Sequence, residues 1–418
     1  MLFRQFVDGD LGCGSYLIGD AEVGEAVVVD PAFAIEQYLD AADAAGVRIV
    51  RVIETHTHAD HVSGHGRFAL EHGVPVSIHP LAQPEYPFDP LADGRTLEVG
   101  AVRLRVVHTP GHRPEHCSLV VDGELVLTGD SLFVGDAARP DLAIEAREGA
   151  ADLHGSLRRL AELPDDVAVY PGHVSGSLCG SNMSDEHSSS IGRERKTNHA
   201  LNAAFADFVE EASSVSTPKP PTTAHVVALN RGPWVAALPP LAELASPGEA
   251  TVLDARPVAE FAAGHLPGAI SVALDGGSFA TRAAFVLDPA EPVVIHVRSQ
   301  AEAAEASRLL AAVGLFEQRG FVRGGGTEET QTVTVPELVQ LDGTVQVLDV
   351  REQNEEPRTD WPAVPYRLLR SAAPPDVDPE RPVYVICASG ARATLAASLL
   401  ARRGFDARAV VGGGVADL

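Results

Sequence analysis

The chain has 418 residues, a hydrophobic content of 45% and a formal charge of −26, enough for two to four domains of roughly 100–200 residues each. An acidic surface of that size repels phosphate backbones and argues against nucleic acid as a partner. No apolar run approaches the ~20 residues needed to cross a bilayer, and the opening "MLFRQFVDGDLGCGSYLIGD" lacks the basic start and apolar core of a secretory signal.

In chain order, "EAVVVD" and "VRIVRVIET" read as strands, with "FAIEQYLDAADAAG" between them as an amphipathic helix ended by Gly46. "GVPVSIH", "VRLRVVHT", "SLVV" and "LVLTGD" follow as strands, the last two joined by an Asp122-Gly123 hairpin turn. From about 189, "SSIGRERKTNHALNAAFADFVEEA" reads as a capped helix and then a second one. The Pro/Thr-rich "STPKPPTTA" reads as an extended bridge. Beyond it the chain repeats itself. "TVLDARPVAEF" matches "QVLDVREQNEE", and "PVVIHVRSQAEAAEASRLLAAVGLF" matches "PVYVICASGARATLAASLLARRGFD". The domains expected are therefore 1–235, 236–330 and 331–418. Cys13, Cys117, Cys179 and Cys387 are too scattered for a disulfide framework and suit a reducing cytoplasm. Cys13 and Cys117 flank apolar strands and read as small core residues.

Four segments of the first domain end a strand on a metal-grade side chain: "VIETHTHADH", "RVVHTPGH", "LVLTGD" and "VAVYPGH". They supply His56, His58, Asp60, His61, His112, Asp130 and His173. Strand ends are rigid supports for ligands held at fixed distances. Histidine and aspartate without cysteine suit iron, zinc or manganese.

This H-x-H-x-D-H pattern with its later His, Asp and His resembles the metallo-β-lactamase fold, an αββα sandwich binding one or two metals at one edge. "TGDSLFVGDAARPDL", "YPGHVSGSLCG" and "SSSIGRERKTN" are similar to segments of the bacterial persulfide dioxygenases of that fold. The resemblance implies one Fe(II) per chain held by His56, His112 and Asp130, with His58, Asp60, His61 and His173 lining the site. With all seven positions filled, two zinc ions, as in thioesterases resembling glyoxalase II, are the alternative. It further implies Arg139, and with it Arg195 and Lys196, as cations for an anionic thiol substrate. Ala137 stands where eukaryotic members carry a cysteine, which counts against glutathione as the thiol; Cys179 closely follows His173 and reads first as an inert thiol, with persulfide handling as the alternative.

In "VYVICASGARATLAASLL" an apolar strand ends at Cys387, and a Gly-containing loop leads to a helix beginning near Arg392. Backbone N–H groups of such a loop stabilise an anion on the sulfur, which attacks sulfane sulfur and carries it as a persulfide. The Cys-x₄-Arg loop resembles that of rhodaneses, with Cys387 and Arg392 as the catalytic pair. The preceding copy has the rhodanese-like "GHLPGA" but Val297 and Glu302 at those two positions, so it is expected to be inactive.

The expectation is thus an α/β chain: an αββα sandwich followed by two small rhodanese-like domains. The resemblance implies a cytoplasmic, homo-oligomeric enzyme of sulfide detoxification. It oxidises a low-molecular-weight thiol persulfide with O2 to sulfite and exchanges sulfane sulfur between persulfide and thiosulfate.

Overall fold

A computed structural model describes residues 1–418 except 141–142, 175–183, 215–217, 342, 344, 354, 358, 372–373 and 375. The described chain forms two compact units, one chiefly of residues 1–218 and 223–237, the other chiefly of 238–311 and 315–418. No helix among the described residues is long and apolar enough to cross a membrane.

The first unit stacks two six-stranded sheets. One runs in spatial order β1 (Leu2–Val7), β2 (Gly14–Asp20), β3 (Glu25–Val29), β4 (Arg48–Ile53), β5 (Val76–Ile78) and β6 (Asp89–Pro90). The other holds β7 (Thr96–Val99), β8 (Val102–His108), β9 (Cys117–Val121), β10 (Leu125–Gly129), β11 (Ala168–Pro171) and β12 (Ser189–Ser190). The period-2 alternation of strand side chains divides the apolar residues between two layers. Val27 and Val29 face inward to meet Leu104, Val106, Leu119 and Leu127 between the sheets. Ala26 and Val28 face outward and pack on Tyr38, Ala41 and Ala42 of helix Glu36–Ala45. Val107, Val120 and Val126 do the same on the other side, against Leu153, Leu157 and Leu160 of helix Ala146–Leu160. The result is an αββα sandwich.

Both local turn readings have a visible cause. Helix Glu36–Ala45 ends on Gly46 at φ 66°, whose N–H caps the last carbonyls. The β9–β10 hairpin turns through Asp122 at φ 50° and Gly123 at φ 77°, both left-handed, and the Glu124 N–H closes the turn on the Val121 carbonyl at 2.9 Å. The bridge after 217 differs from the expected extended run, because a helix, Thr223–Arg231, begins within it. "TAHVVALNR" has helix-compatible apolar spacing that the preceding prolines mask.

The second unit contains two four-stranded parallel sheets. The first has order β14 (Ile270–Ser271), β13 (Thr251–Asp254), β15 (Val293–His296), β16 (Gln318–Val322). The second has order β17 (Thr332–Thr334), β20 (Ala407–Val411), β19 (Val383–Ile386), β18 (Gln346–Asp349). The repeat seen in the sequence is a repeat in space. Leu253 pairs with Ile295 as Leu348 pairs with Val385. Arg256 Nη2 donates to Asp254 Oδ2 at 2.6 Å, and Arg351 Nη2 to Asp349 Oδ2 at 2.8 Å.

Candidate functional site

The segments leaving β4, β8, β10 and β11 bring their polar residues together in the first unit. His56 Nε2 lies 3.9 Å and His112 Nε2 3.4 Å from Asp130 Oδ2. One ligand atom from each of the three residues falls within 4.8 Å of the others, and all three side chains are buried. The remaining ring nitrogens fix the orientation. The Thr55 hydroxyl donates to Asp30 Oδ2 at 2.8 Å, which leaves Thr55 Oγ1 to accept from His56 Nδ1 at 2.9 Å. His112 Nδ1 donates to the Arg139 carbonyl at 2.9 Å. With Nδ1 protonated in each ring, Nε2 presents a lone pair toward Asp130.

Electrostatics points the same way. Burial, with His58, His112 and His116 close by, pushes the His56 pKa well down, and burial also lowers that of His112. Burial opposes ionisation of Asp130, yet the adjacent His173 holds its carboxyl below the usual range. Two neutral imidazoles and one carboxylate are the protonation states that a divalent cation requires. His56 Nε2 and Asp130 Oδ2 are buried and make no hydrogen bond among the described residues. Such atoms call for a partner, and a cation among these three donors fits.

The other predicted positions surround this trio. His173 faces a carboxylate oxygen at each ring nitrogen, with Nδ1 2.7 Å from Asp130 Oδ1 and Nε2 2.9 Å from Asp60 Oδ2. His61 Nδ1 lies 3.1 Å from Asp60 Oδ2. His58 faces away from Asp130: its Nε2 sits 3.1 Å from Glu54 Oε2 and 3.3 Å from Asp30 Oδ1. Those carboxylates lift its pKa well above the ordinary value in spite of burial. Arg139 is buried and reaches the trio through its backbone carbonyl. Arg195 and Lys196 lie exposed on helix Ile191–Thr197, where Arg195 pairs with Asp165 at 2.9 Å. Cys179 falls outside the described residues.

Three contributors were not singled out from the sequence. Cys13, expected in a hydrophobic core, instead places Sγ 3.2 Å from Asp60 Oδ2 and 3.3 Å from His173 Nε2. A backbone bridge between Cys13 and His173 brings it there, and burial pushes its thiol pKa well up. Cys117 does sit in the core, its pKa raised to about 12 by burial. His116 is buried with its ring centroid 5.2 Å from that of His56. Burial first, and His112 second, lower its pKa to about 3. Its spacing of four from His112 was the available signal. Asn230, on helix Thr223–Arg231, clamps the "THTHADH" loop. Its Nδ2 donates to the His58 and His61 carbonyls at 3.0 and 2.8 Å, and its Oδ1 accepts from the Ser63 N–H at 2.9 Å.

In the second unit, β19 delivers Cys387 buried at its end. The Gly390 N–H donates to Cys387 Sγ at 3.1 Å. Gly390 holds φ 102°, and a Cβ there would meet Val411 Cα at 3.1 Å, so the loop requires glycine. Arg392 is gripped by Glu355, Nη2 to Oε2 at 2.8 Å and Nη1 to Oε1. At the equivalent end of β15 stands Val297, followed by Gln300 in place of the glycine. Glu302, where the other copy has Arg392, pairs with Arg298.

A relative from Aquifex aeolicus, itself uncharacterised, is 30% identical over 202 residues, which is 43% of this chain and 93% of that one. The metallo-beta-lactamase superfamily model matches residues 8–173. Residues 8–173 are thus a metallo-beta-lactamase superfamily domain. Within that superfamily the chain is similar to the mitochondrial persulfide dioxygenase ETHE1 of Bos taurus, 28% identical over 225 residues, 53% of this chain and 84% of that one. A crystal structure of a metallo-beta-lactamase from Staphylococcus aureus superposes with a TM-score of 0.71 at 27% identity, covering 77% of this chain and 98% of that one. The superfamily domain is followed by a rhodanese-like domain, whose model matches residues 239–329, the half that carries Val297.

Proposed function

We propose that the chain is a persulfide dioxygenase with an appended sulfurtransferase. His56, His112 and Asp130 would hold one Fe(II), and Cys387 would carry sulfane sulfur. The observation that carries the reading is the convergence of three buried donors whose histidines are anchored through Nδ1. Three protein ligands leave positions open, and a bound iron supplies the redox chemistry that oxidation of sulfur by O2 needs. The protein's own part is to exclude water around buried donors, to keep His56 and His112 neutral, and to hold Asp130 ionised through His173. Arg139, whose backbone carbonyl anchors His112, would supply the cation for the anionic part of a thiol persulfide.

Residues 331–418 would then be a second rhodanese-type domain and the one that works, since its fold repeats that of 239–329 and its loop ends in cysteine. Cys387 as thiolate attacks the outer sulfur of a persulfide RS–SH; a new S–S bond forms, the old one breaks, and RS⁻ leaves. Passing that sulfur to sulfite gives thiosulfate. The bovine relative supports this reading over a dinuclear zinc thioesterase.

The test is metal analysis of anaerobically purified protein together with O2 uptake on a thiol persulfide. The reading expects one iron per chain and O2 uptake matched to sulfite, both lost in Asp130→Ala. Two zinc ions per chain with no uptake would overturn it.

A further inference from the structure

The cradle of the Cys387 sulfur is backbone, but the charge next to it is set by side chains, and the contacts that set it begin in the valine-bearing half. Burial works against a charge on Arg392; Glu355 and then Cys387 favour it, and its pKa ends above the ordinary arginine value. The guanidinium is thus close enough to the sulfur to support a thiolate there.

Two glutamates meet at this point. Glu355 holds Arg392 through both terminal nitrogens, Nη2 to Oε2 at 2.8 Å and Nη1 to Oε1. The Glu352 N–H donates to that same Oε1 at 2.9 Å, so Glu352 stands directly beside the pair. Burial pushes the Glu352 carboxyl up, while Arg367 first and Arg392 next pull it down. Glu352 is therefore a second carboxylate that feels the Arg392 charge, and Arg367 occupies it, Nη2 donating to Oε2.

Arg367 is placed by the valine-bearing half. Its guanidinium carbon lies over the Phe285 ring, 5.5 Å from the centroid, and the neighbouring Tyr366 ring meets Phe285 edge-on at 6.3 Å. Phe285 is buried on helix Phe279–Val286 of that half, and an aromatic face attracts a guanidinium most when water is kept out. The same half also grips the helix that carries Arg392, Ala391–Ala401. The Ser271 N–H donates to Ser398 Oγ at 3.1 Å, and Arg402 Nη1 to the Gly268 carbonyl at 2.5 Å. Without Arg367, the next cation acting on Glu352 is Arg392, and two carboxylates would compete for one guanidinium.

We infer that Arg367 is a positioning residue of the sulfur-transfer site: seated on Phe285 of the valine-bearing half, it occupies Glu352 and so leaves Arg392 to Glu355, next to the Cys387 sulfur. The inference rests on the proposed role of Cys387 as sulfur carrier. It gives the valine-bearing half a task that needs no nucleophile of its own.

The test uses the full-length metal-loaded protein without O2. Alkylation of Cys387 by iodoacetamide, followed by mass spectrometry of its peptide, reads how readily the sulfur reacts as thiolate. Arg367→Met should slow it about three- to tenfold, the effect of drawing one opposite charge part of the way off a thiolate. Arg367→Lys, which keeps a cation for Glu352, should retain most of the rate. Glu352→Gln added to Arg367→Met should restore it, because the competing carboxylate is gone. Phe285→Leu, which keeps the apolar filling but not the ring face, should fall in between. Full reactivity in Arg367→Met would overturn the inference. A slow Arg367→Met that Glu352→Gln does not restore, or an equally slow Arg367→Lys, would do the same, since that is damage to the fold rather than a misplaced charge. An unchanged Phe285→Leu would overturn the part given to the valine-bearing half. Sulfur uptake at Cys387 from glutathione persulfide, followed in the same samples, tests the reading beneath: no uptake by the unmodified protein would overturn the carrier role, and the inference with it.

Discussion

At the end of β10, Asp130 depends on side chains from several distant segments; at the end of β19, Cys387 leans on the backbone of its own loop. The first arrangement is a layered network. Asp30 holds Thr55, Thr55 holds His56, the Arg139 carbonyl holds His112, and Asn230 ties down the loop between. The second needs a strand, a glycine at φ 102° and one N–H on the sulfur. A site made of side chains can be damaged one step removed from its ligands. A site made of backbone is damaged by changing the nucleophile or the glycine.

Variants separate the two. Cys387→Ala should reduce sulfur transfer to background and leave metal content and O2 uptake untouched, as transfer assays and metal analysis on one preparation would show. Asp130→Ala should do the reverse, and loss of both activities in either variant would mean that the two sites do not work independently. Thr55→Val removes no ligand but frees the His56 ring; metal affinity should fall about 10–100-fold in competition with a chelator. Acid should also distinguish them. His116 has its pKa lowered from 6.5 to about 3 in the fold, so between those values the unfolded chain binds the extra proton. Stability of the metal-free first unit should therefore fall on acidification below pH 6.5, by about 1.4 kcal/mol per pH unit for each proton taken up. His56 and His112, also lowered, act in the same direction. His58, raised, is protonated in both states throughout that window and adds no slope. A urea midpoint that does not move with pH would contradict the assignment. The smallest effect is expected from Ser389→Ala, an exposed loop side chain whose removal should change transfer by no more than about twofold.

The difference in building material also decided what could be read in advance. The αββα sandwich and the repeat were legible because burial imposes a period on strands and because two copies can be laid on each other. His56, His112 and Asp130 were legible as chemistry at strand ends, and the fold brings them together. Cys387 stood out by contrast with Val297. The supporting layer was not legible. Asn230 lies 169 residues from His61 and is an ordinary polar residue in an ordinary helix. Cys13 looks like any small residue before an apolar strand, and only the backbone bridge to His173 turns it toward Asp60. A local pattern reports what a residue is, whereas a network depends on what the tertiary fold sets beside it.

The Asn230 clamp also bears on biosynthesis. A chain growing from its amino terminus has made every one of the predicted metal-site residues by His173, yet the amide that pins their longest loop is synthesised last, after the helix Ala146–Leu160 side of the sandwich is complete. Until that amide arrives, the His58 and His61 carbonyls and the Ser63 N–H lack their shared partner. Nascent protein would thus pass through a stage in which the loop is present but unclamped.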